Sequence, residues 1–230
     1  MITDERMTSF LHSIYREDDE MIRTIEQEAR EEEVPIVRAE TKELLKVLIL
    51  NQRPKRILEV GTAIGFSAIY MSQYLPKDGL IDTIEKYEPR IQVAKRNFER
   101  TGTAERIRLL EGDATEILKE LNDSYDMIFM DAAKGQYIHF LPDVLRLLAT
   151  GGMLISDNVM QDGDVLESRY AVEKRNRTIH TRMRDYIYTL THHDQLETVV
   201  LPLGDGVALS TKLSGTEESD GIRQDDGSDL

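Results

Sequence analysis

From residue 56 to residue 156 the chain alternates between two patterns, and this alternation restricts the fold more than any other feature. Five short apolar runs (56–60, 80–84, 107–110, 126–130 and 153–156) are separated by segments with helical periodicity (66–74, 90–100, 114–121 and 138–148). Apolar runs without polar alternation imply strands buried on both faces, and hence a parallel sheet covered by helices on each side. The rhythm changes near the C-terminus. After a helix over 178–190, runs at 197–201 and 207–210 flank Gly204-Asp205-Gly206. Asp-Gly between two apolar runs is a hairpin signal. The expected fold class is α/β: seven strands, mostly parallel, with a late antiparallel hairpin strand and helices on both faces.

Helices also precede the first strand. Residues 4–33 carry helical periodicity and a dense acidic face, with Met7, Phe10, Leu11 and Ile14 as an apolar stripe. Pro35 ends this segment, and a helix over 39–50 is expected to bury Leu44, Leu45, Val47, Leu48 and Ile49. Residues 1–213 read as one domain, with 1–33 as its N-terminal helical segment. Residues 214–230 hold one Ile and one Leu beside six acids, which predicts a disordered acidic tail. No apolar run approaches the roughly 20 residues of a membrane helix, and the N-terminus lacks a secretory pattern. The chain has no cysteine, which excludes disulfides, thiolate metal sites and a Cys nucleophile. The cytoplasm is the expected compartment.

A net charge of −14 argues against a nucleic-acid partner until it is divided along the chain. Residues 1–33 contribute −7 and 214–230 contribute −5, which leaves −2 for the rest. Within that remainder Arg169, Lys174, Arg175, Arg177, Arg182 and Arg184 stand close together against Glu173 alone. Such a run is either a solvated helix face or a phosphate-binding surface.

In an open parallel sheet, side chains just past the strand carboxyl ends converge on a ligand crevice. Glu59-Val-Gly-Thr-Ala-Ile-Gly65 follows the first strand, and its glycines give either a plain tight turn or a close approach to a nucleotide. Glu85, at the next strand end, is placed to accept ribose hydroxyls or to sit in a solvated turn. In Gly112-Asp113-Ala114, Asp113 can cap a helix, accept from an adenine amine, or both. Asp131-Ala-Ala-Lys134 and Asp157-Asn158 follow strands four and five. Each alone suits a cap or a turn. Together they bring two carboxylates, an amide oxygen and an amine to adjacent strand ends, a donor set suited to Mg²⁺ with retained waters. His192-His193 lies in an exposed connection and makes no convincing imidazole site.

In combination these motifs resemble the metal-dependent O-methyltransferases of the catechol and caffeoyl-CoA type, over about residues 35–213. The resemblance is carried by Arg56-Ile-Leu-Glu-Val-Gly-Thr-Ala-Ile-Gly-Phe-Ser67, Glu85, Gly112-Asp113, Asp131 with Lys134 and Tyr137, and Asp157-Asn158. Four further segments resemble the bacterial tRNA 5-hydroxyuridine methyltransferases, which form 5-methoxyuridine at the anticodon wobble position, U34. These are Ala132-Ala-Lys-Gly-Gln-Tyr137, Ser156-Asp-Asn-Val159, Lys174-Arg-Asn-Arg-Thr-Ile179 with Arg182-Met-Arg184, and Leu201-Pro-Leu-Gly-Asp-Gly206.

The resemblance implies the Rossmann-like class I methyltransferase fold, S-adenosylmethionine (SAM) as methyl donor, and a homodimer. It implies a donor site of Val37, Glu59, Gly61, Ser67, Glu85, Gly112, Asp113, Ala114 and Asp131, and a Mg²⁺ (or other divalent cation) site of Asp131, Asp157 and Asn158. It implies a tRNA anticodon loop held by Arg169, Lys174, Arg175, Arg177, Arg182 and Arg184. Lys134 is the expected catalytic proton acceptor beside Asp131, with a surface charge as its plainer role, and Tyr137 is expected to pack or to shape the substrate. A small catechol or phenol is the alternative acceptor. A non-catalytic SAM- or RNA-binding module is the alternative class, disfavoured by the presence of Asp131, Lys134, Asp157 and Asn158. Amino-group methylation is disfavoured because Asp131-Ala-Ala stands where Asp-Pro-Pro-aromatic is usual, and cytosine C5 methylation through a thiol adduct needs a cysteine.

Overall fold

A computed structural model of the chain describes residues 4–214; the acidic tail expected from 214 onward lies, apart from Ser214, outside the described residues. The helices are α1 (Glu5–Ile14), α2 (Glu20–Glu31), α3 (Ala39–Gln52), α4 (Phe66–Ser72), α5 (Glu88–Arg100), α6 (Ala114–Glu120), α7 (Tyr137–Leu147) and α8 (Arg177–Thr191). The strands are β1 (Arg56–Val60), β2 (Leu80–Glu85), β3 (Ile107–Glu111), β4 (Tyr125–Met130), β5 (Leu148–Ser156), β6 (Leu196–Leu201) and β7 (Val207–Lys212). They form one sheet in the order β3-β2-β1-β4-β5-β7-β6. β1 to β5 pair in parallel, and β7 runs antiparallel to both β5 and β6. The late reversed strand expected from Asp205-Gly206 is therefore present.

Alternation along each strand divides the core into two layers. Ile57, Ile81, Met127, Phe129, Ile155 and Val207 pack with α2 to α5, while Leu58, Val60, Ile128, Met130, Leu154 and Ala208 pack with α6 to α8. Because both faces are buried, successive residues of a strand serve opposite layers.

Two sequence expectations need correction. Residues 4–33 form two helices, because Asp19 accepts a hydrogen bond from the Ile22 amide and starts a new helix at Glu20. The stripe on α1 is not buried: Met7, Phe10 and Ile14 are exposed, Phe10 to 59%. On α3, Leu45 and Ile49 are fully buried, but Val47 is 59% exposed. It lies two residues from each of them, on the opposite side of the helix. No described helix is long and apolar enough to cross a membrane.

Candidate active site

The strand ladder extends one residue past the sheet and fixes the site residues. The amides of Gly61 and Thr62 donate to the Ile84 carbonyl, Gly112 to Glu85, Asp131 to Val60 and Asp157 to Met130. Residues at five strand ends are thus held along one edge of a cleft of about 650 Å³. Val37, Gly61, Ser67, Glu85, Gly112, Asp113, Ala114, Asp131, Lys134, Asp157 and Asn158 all line it.

At one end the Glu85 carboxylate accepts from the amides of Ala63, Lys86 and Tyr87, each at 2.9 Å. Three fixed donors orient it and leave one acceptor position for a ligand hydroxyl. Asp113 caps α6 through the Thr115 amide at 2.9 Å and pairs with Lys86, so its capping role is real and it still faces the cleft. Tyr87 is exposed on the same wall, with the Arg90 guanidinium over its ring.

At the other end lie Asp131, Lys134, Asp157 and Asn158. Asp131 caps no helix; the turn over Lys134–Gln136 starts after Ala133. Burial raises the pKa of Asp131, and the Lys134 ammonium opposes that rise. Asp157 is buried, and burial followed by repulsion from Asp131 pushes it up to about 7. Its Oδ1 accepts from the Thr41 hydroxyl at 3.3 Å and from the Asn158 amide at 2.8 Å. Among the described residues no donor reaches its Oδ2 or the Asp131 carboxylate. Two mutually repelling carboxylates, Asp157 buried and Asp131 partly exposed, beside an amide, are a donor set that a divalent cation would satisfy. No group of three or more His, Cys, Asp or Glu side chains is placed to hold a metal ion among the described residues, so a cation here would rest on two carboxylates, an amide oxygen and water. The set accordingly suits a hard, partly hydrated ion rather than zinc.

Gly61 has φ of +112°, and a Cβ there would lie 2.2 Å from the Asp131 carbonyl oxygen. The glycine is thus required by the crossing of the donor turn over the β4 end, not by a ligand alone. Gly65 is in the left-handed region as well, with the Phe98 ring where its Cβ would be.

A family model for O-methyltransferases matches residues 12–213. The chain belongs to the O-methyltransferase family. A catechol O-methyltransferase from Niastella koreensis is 38% identical over 128 residues, 54% of this chain and 58% of that protein, so the match spans less than two thirds of that relative. A crystal structure of a provisionally assigned caffeoyl-CoA O-methyltransferase from Staphylococcus aureus has a TM-score of 0.84 at 33% identity, over 90% of this chain and 100% of that one. The O-methyltransferase TomG from Streptomyces achromogenes, solved in complex with SAM, has a TM-score of 0.80 at 25% identity, over 91% of this chain and 96% of that one. These neighbours share the Rossmann-like methyltransferase fold, so the expected fold class is the observed one.

Within this O-methyltransferase, two expectations from sequence differ from the geometry. Glu59 does not line the cleft. It is fully buried in the α4 layer, where its carboxylate accepts from the Ser67 and Thr83 hydroxyls. Burial lifts its pKa to about 8, although both hydroxyls stabilise the charge. It reaches the cleft through other side chains, by Ser67 on one side and by Thr83 and Thr62 on the other. The basic run is also divided. Arg177 donates to the carbonyls of Val172 and Tyr170, Arg182 to that of Gly135, and Arg184 to those of Val165 and Glu167. Arg175 pairs with Glu173 at 2.8 Å, while Arg169 and Lys174 are solvent-exposed.

The structure adds residues that sequence reasoning missed. Thr41 on α3 supports Asp157, and Arg38 faces Asp162 across the acceptor end at 3.4 Å. The buried Asp205 takes the Asp162 amide at 2.6 Å and so fixes that loop. Only Asp205 carried a signal, as part of the Asp-Gly turn. Tyr137 is buried, and its hydroxyl donates to the carbonyls of Met130 and Asp157 at 2.9 and 3.2 Å. It braces the ends of β4 and β5 against each other, a packing role.

Proposed function

We propose that this protein is a SAM- and Mg²⁺-dependent O-methyltransferase whose acceptor carries a hydroxyl beside a second oxygen. The observation that carries this reading is the pair of mutually repelling carboxylates Asp131 and Asp157, lining the cleft with Asn158 and Lys134 at the far end from Glu85 and Asp113. Val37, Gly61, Ser67, Glu85, Gly112, Asp113 and Ala114 would hold the donor, with Glu59 acting behind Ser67. Asp131, Asp157 and Asn158 would hold the metal, steadied by Thr41. When bound, SAM supplies a sulfonium methyl that the deprotonated acceptor oxygen takes with release of a neutral thioether, and Mg²⁺ supplies charge that favours loss of the hydroxyl proton. Lys134 is the side chain placed to take that proton and pass it to solvent. Since the displacement needs no covalent help from the protein, positioning dominates the rate.

Within this class we assign the acceptor as 5-hydroxyuridine at tRNA U34, converted to 5-methoxyuridine. Its 5-hydroxyl and 4-oxo oxygens match the two oxygens of a catechol, and the motifs at 132–137, 156–159, 174–184 and 201–206 support it. An unpaired wobble base can enter such a cleft, with the exposed Arg169 and Lys174 available to approach phosphates and Arg175 available on leaving Glu173. A small catechol is the second reading, favoured by the Niastella relative. The apolar face of α1 leads us to propose a homodimer.

The test is methyl transfer from SAM to 5-hydroxyuridine tRNA and to 3,4-dihydroxybenzoate, before and after chelation. Activity lost on chelation and restored by Mg²⁺ is expected, with Asp131→Ala lowering kcat by at least about 100-fold. Preference for the catechol overturns the tRNA assignment. Undiminished transfer after chelation overturns the metal.

A further inference from the structure

The turn that carries Lys134 is small. Residues Lys134–Gln136 make a single 3-10 turn, entered by a hydrogen bond from the Gln136 amide to the Ala133 carbonyl at 2.8 Å. So short a 3-10 segment has few internal bonds, and its position depends on what packs against it. Helix α8 supplies that packing. Arg182 Nη1 donates to the Gly135 carbonyl at 3.0 Å. A Cβ on Gly135 would lie 3.7 Å from both Arg182 Nη1 and Ile179 Cγ1, so the helix is in van der Waals range of the turn. One helical turn further on, Tyr186 meets the Tyr137 ring edge-on, 5.4 Å between centroids. Ile179, Arg182 and Tyr186 follow the three- and four-residue spacing that places them on one face of α8. That face lies against the segment joining Asp131 to α7.

We propose that Arg182 is a positioning residue for proton transfer, acting through the Gly135 carbonyl to fix the turn from which Lys134 meets the acceptor hydroxyl. The proposal rests on the reading of Lys134 as the proton acceptor. It gives Arg182 a role other than the phosphate contact implied by the resemblance. A guanidinium donating to a carbonyl is a charge-assisted bond, stronger than the neutral bonds within the turn. Lys134 has a long, flexible side chain, so the precision of its amine depends on how well its backbone is held. A displacement of about 1 Å is enough to lower a rate by a factor of the order of 100.

The experiment compares wild type with Arg182→Ala and Arg182→Lys, using 5-hydroxyuridine tRNA and 3,4-dihydroxybenzoate as acceptors and calorimetry for SAM. For whichever acceptor wild type uses, kcat should fall about 10- to 100-fold in Arg182→Ala, with KM and SAM affinity held within about twofold. Millimolar guanidinium should restore part of that kcat, and Arg182→Lys should retain more of it than the alanine variant. A loss confined to KM for tRNA, steepening with salt, would make Arg182 a phosphate contact and overturn the proposal. Amide hydrogen exchange tests the brace without any acceptor. Residues 134–137 should exchange at least about tenfold faster in Arg182→Ala while the sheet is unchanged, and equal exchange in the two proteins overturns the brace. If wild type methylates neither acceptor, the functional reading fails, and the exchange result still decides the contact.

Discussion

At the scale of single residues, the site is built from groups held in costly states. Glu59 shows this most clearly. Its carboxylate lies under Ser67 and Thr83, and Thr83 in turn bonds the Thr62 hydroxyl at 2.6 Å. With its pKa raised from the ordinary 4.5 to about 8, the folded protein holds a proton that the unfolded chain releases. The stabilisation from that proton is complete below about pH 4.5 and is lost as pH rises through about 8. Glu59→Gln removes the ionisation. Its unfolding free energy, measured by urea denaturation between pH 5 and 8.5, should decline less steeply with pH than that of wild type. A variant with an unchanged slope would show that Glu59 does not titrate in this window. Asp131 and Asp157 shift in the same direction. Asp131 and Asp157 line the cleft, however, where a bound cation would oppose the shift directly, whereas Glu59 lies behind Ser67.

At the scale of elements, the sheet is fastened at the end opposite the cleft. Asp82 on β2 accepts from Arg56 on β1 at 2.8 Å, from Arg108 on β3 at 2.7 and 2.8 Å, and from the Tyr125 hydroxyl on β4 at 2.7 Å. One buried carboxylate thus joins four adjacent strands. Burial raises its pKa, but Arg108, Tyr125 and Arg56 together outweigh burial and lower it. Its contribution is therefore present above the unfolded value near 3.8 and is lost as pH falls through the lower folded value. Replacing it by Asn removes the close buried partner of Arg56 and Arg108 and leaves them the more exposed Asp123, 3.4 Å from each. We expect Asp82→Asn to cost about 3 kcal/mol in urea unfolding, with SAM affinity unchanged because the cluster is remote from the cleft. The same strand register explains how legible the site was. Asp131, Lys134, Asp157 and Asn158 could be placed from sequence because each directly follows an apolar run, and strand ends of a parallel sheet meet. Glu59 could not. In a sheet covered on both faces, each parity of a strand is buried, so the pattern does not reveal which layer a residue enters.

At the scale of the whole molecule, the ends of the chain carry most of the negative charge while the catalytic part is nearly neutral. Helix α1 also presents Met7, Phe10 and Ile14 to solvent, and α3 exposes Val47 and Leu50. These apolar groups are the surface of the proposed homodimer. Sedimentation equilibrium should give a dimer at micromolar concentration, and Phe10→Glu should shift it to monomer, because burying an unpaired charge in such a contact is strongly unfavourable. A wild type that is monomeric throughout removes the dimer. By itself the sequence determined the α/β sheet, the late reversed strand and the meeting of two carboxylates, an amide and an amine at neighbouring strand ends. Periodicity and strand order are local properties that close packing then preserves. Only the tertiary structure brought Thr41 to Asp157 across 116 residues of chain and seated Glu59 behind Ser67. It alone showed Arg177, Arg182 and Arg184 donating to backbone carbonyls, contacts that the sequence did not reveal. A guanidinium bonds a carbonyl as readily as a phosphate, and which of them it meets depends on what the fold places in front of it.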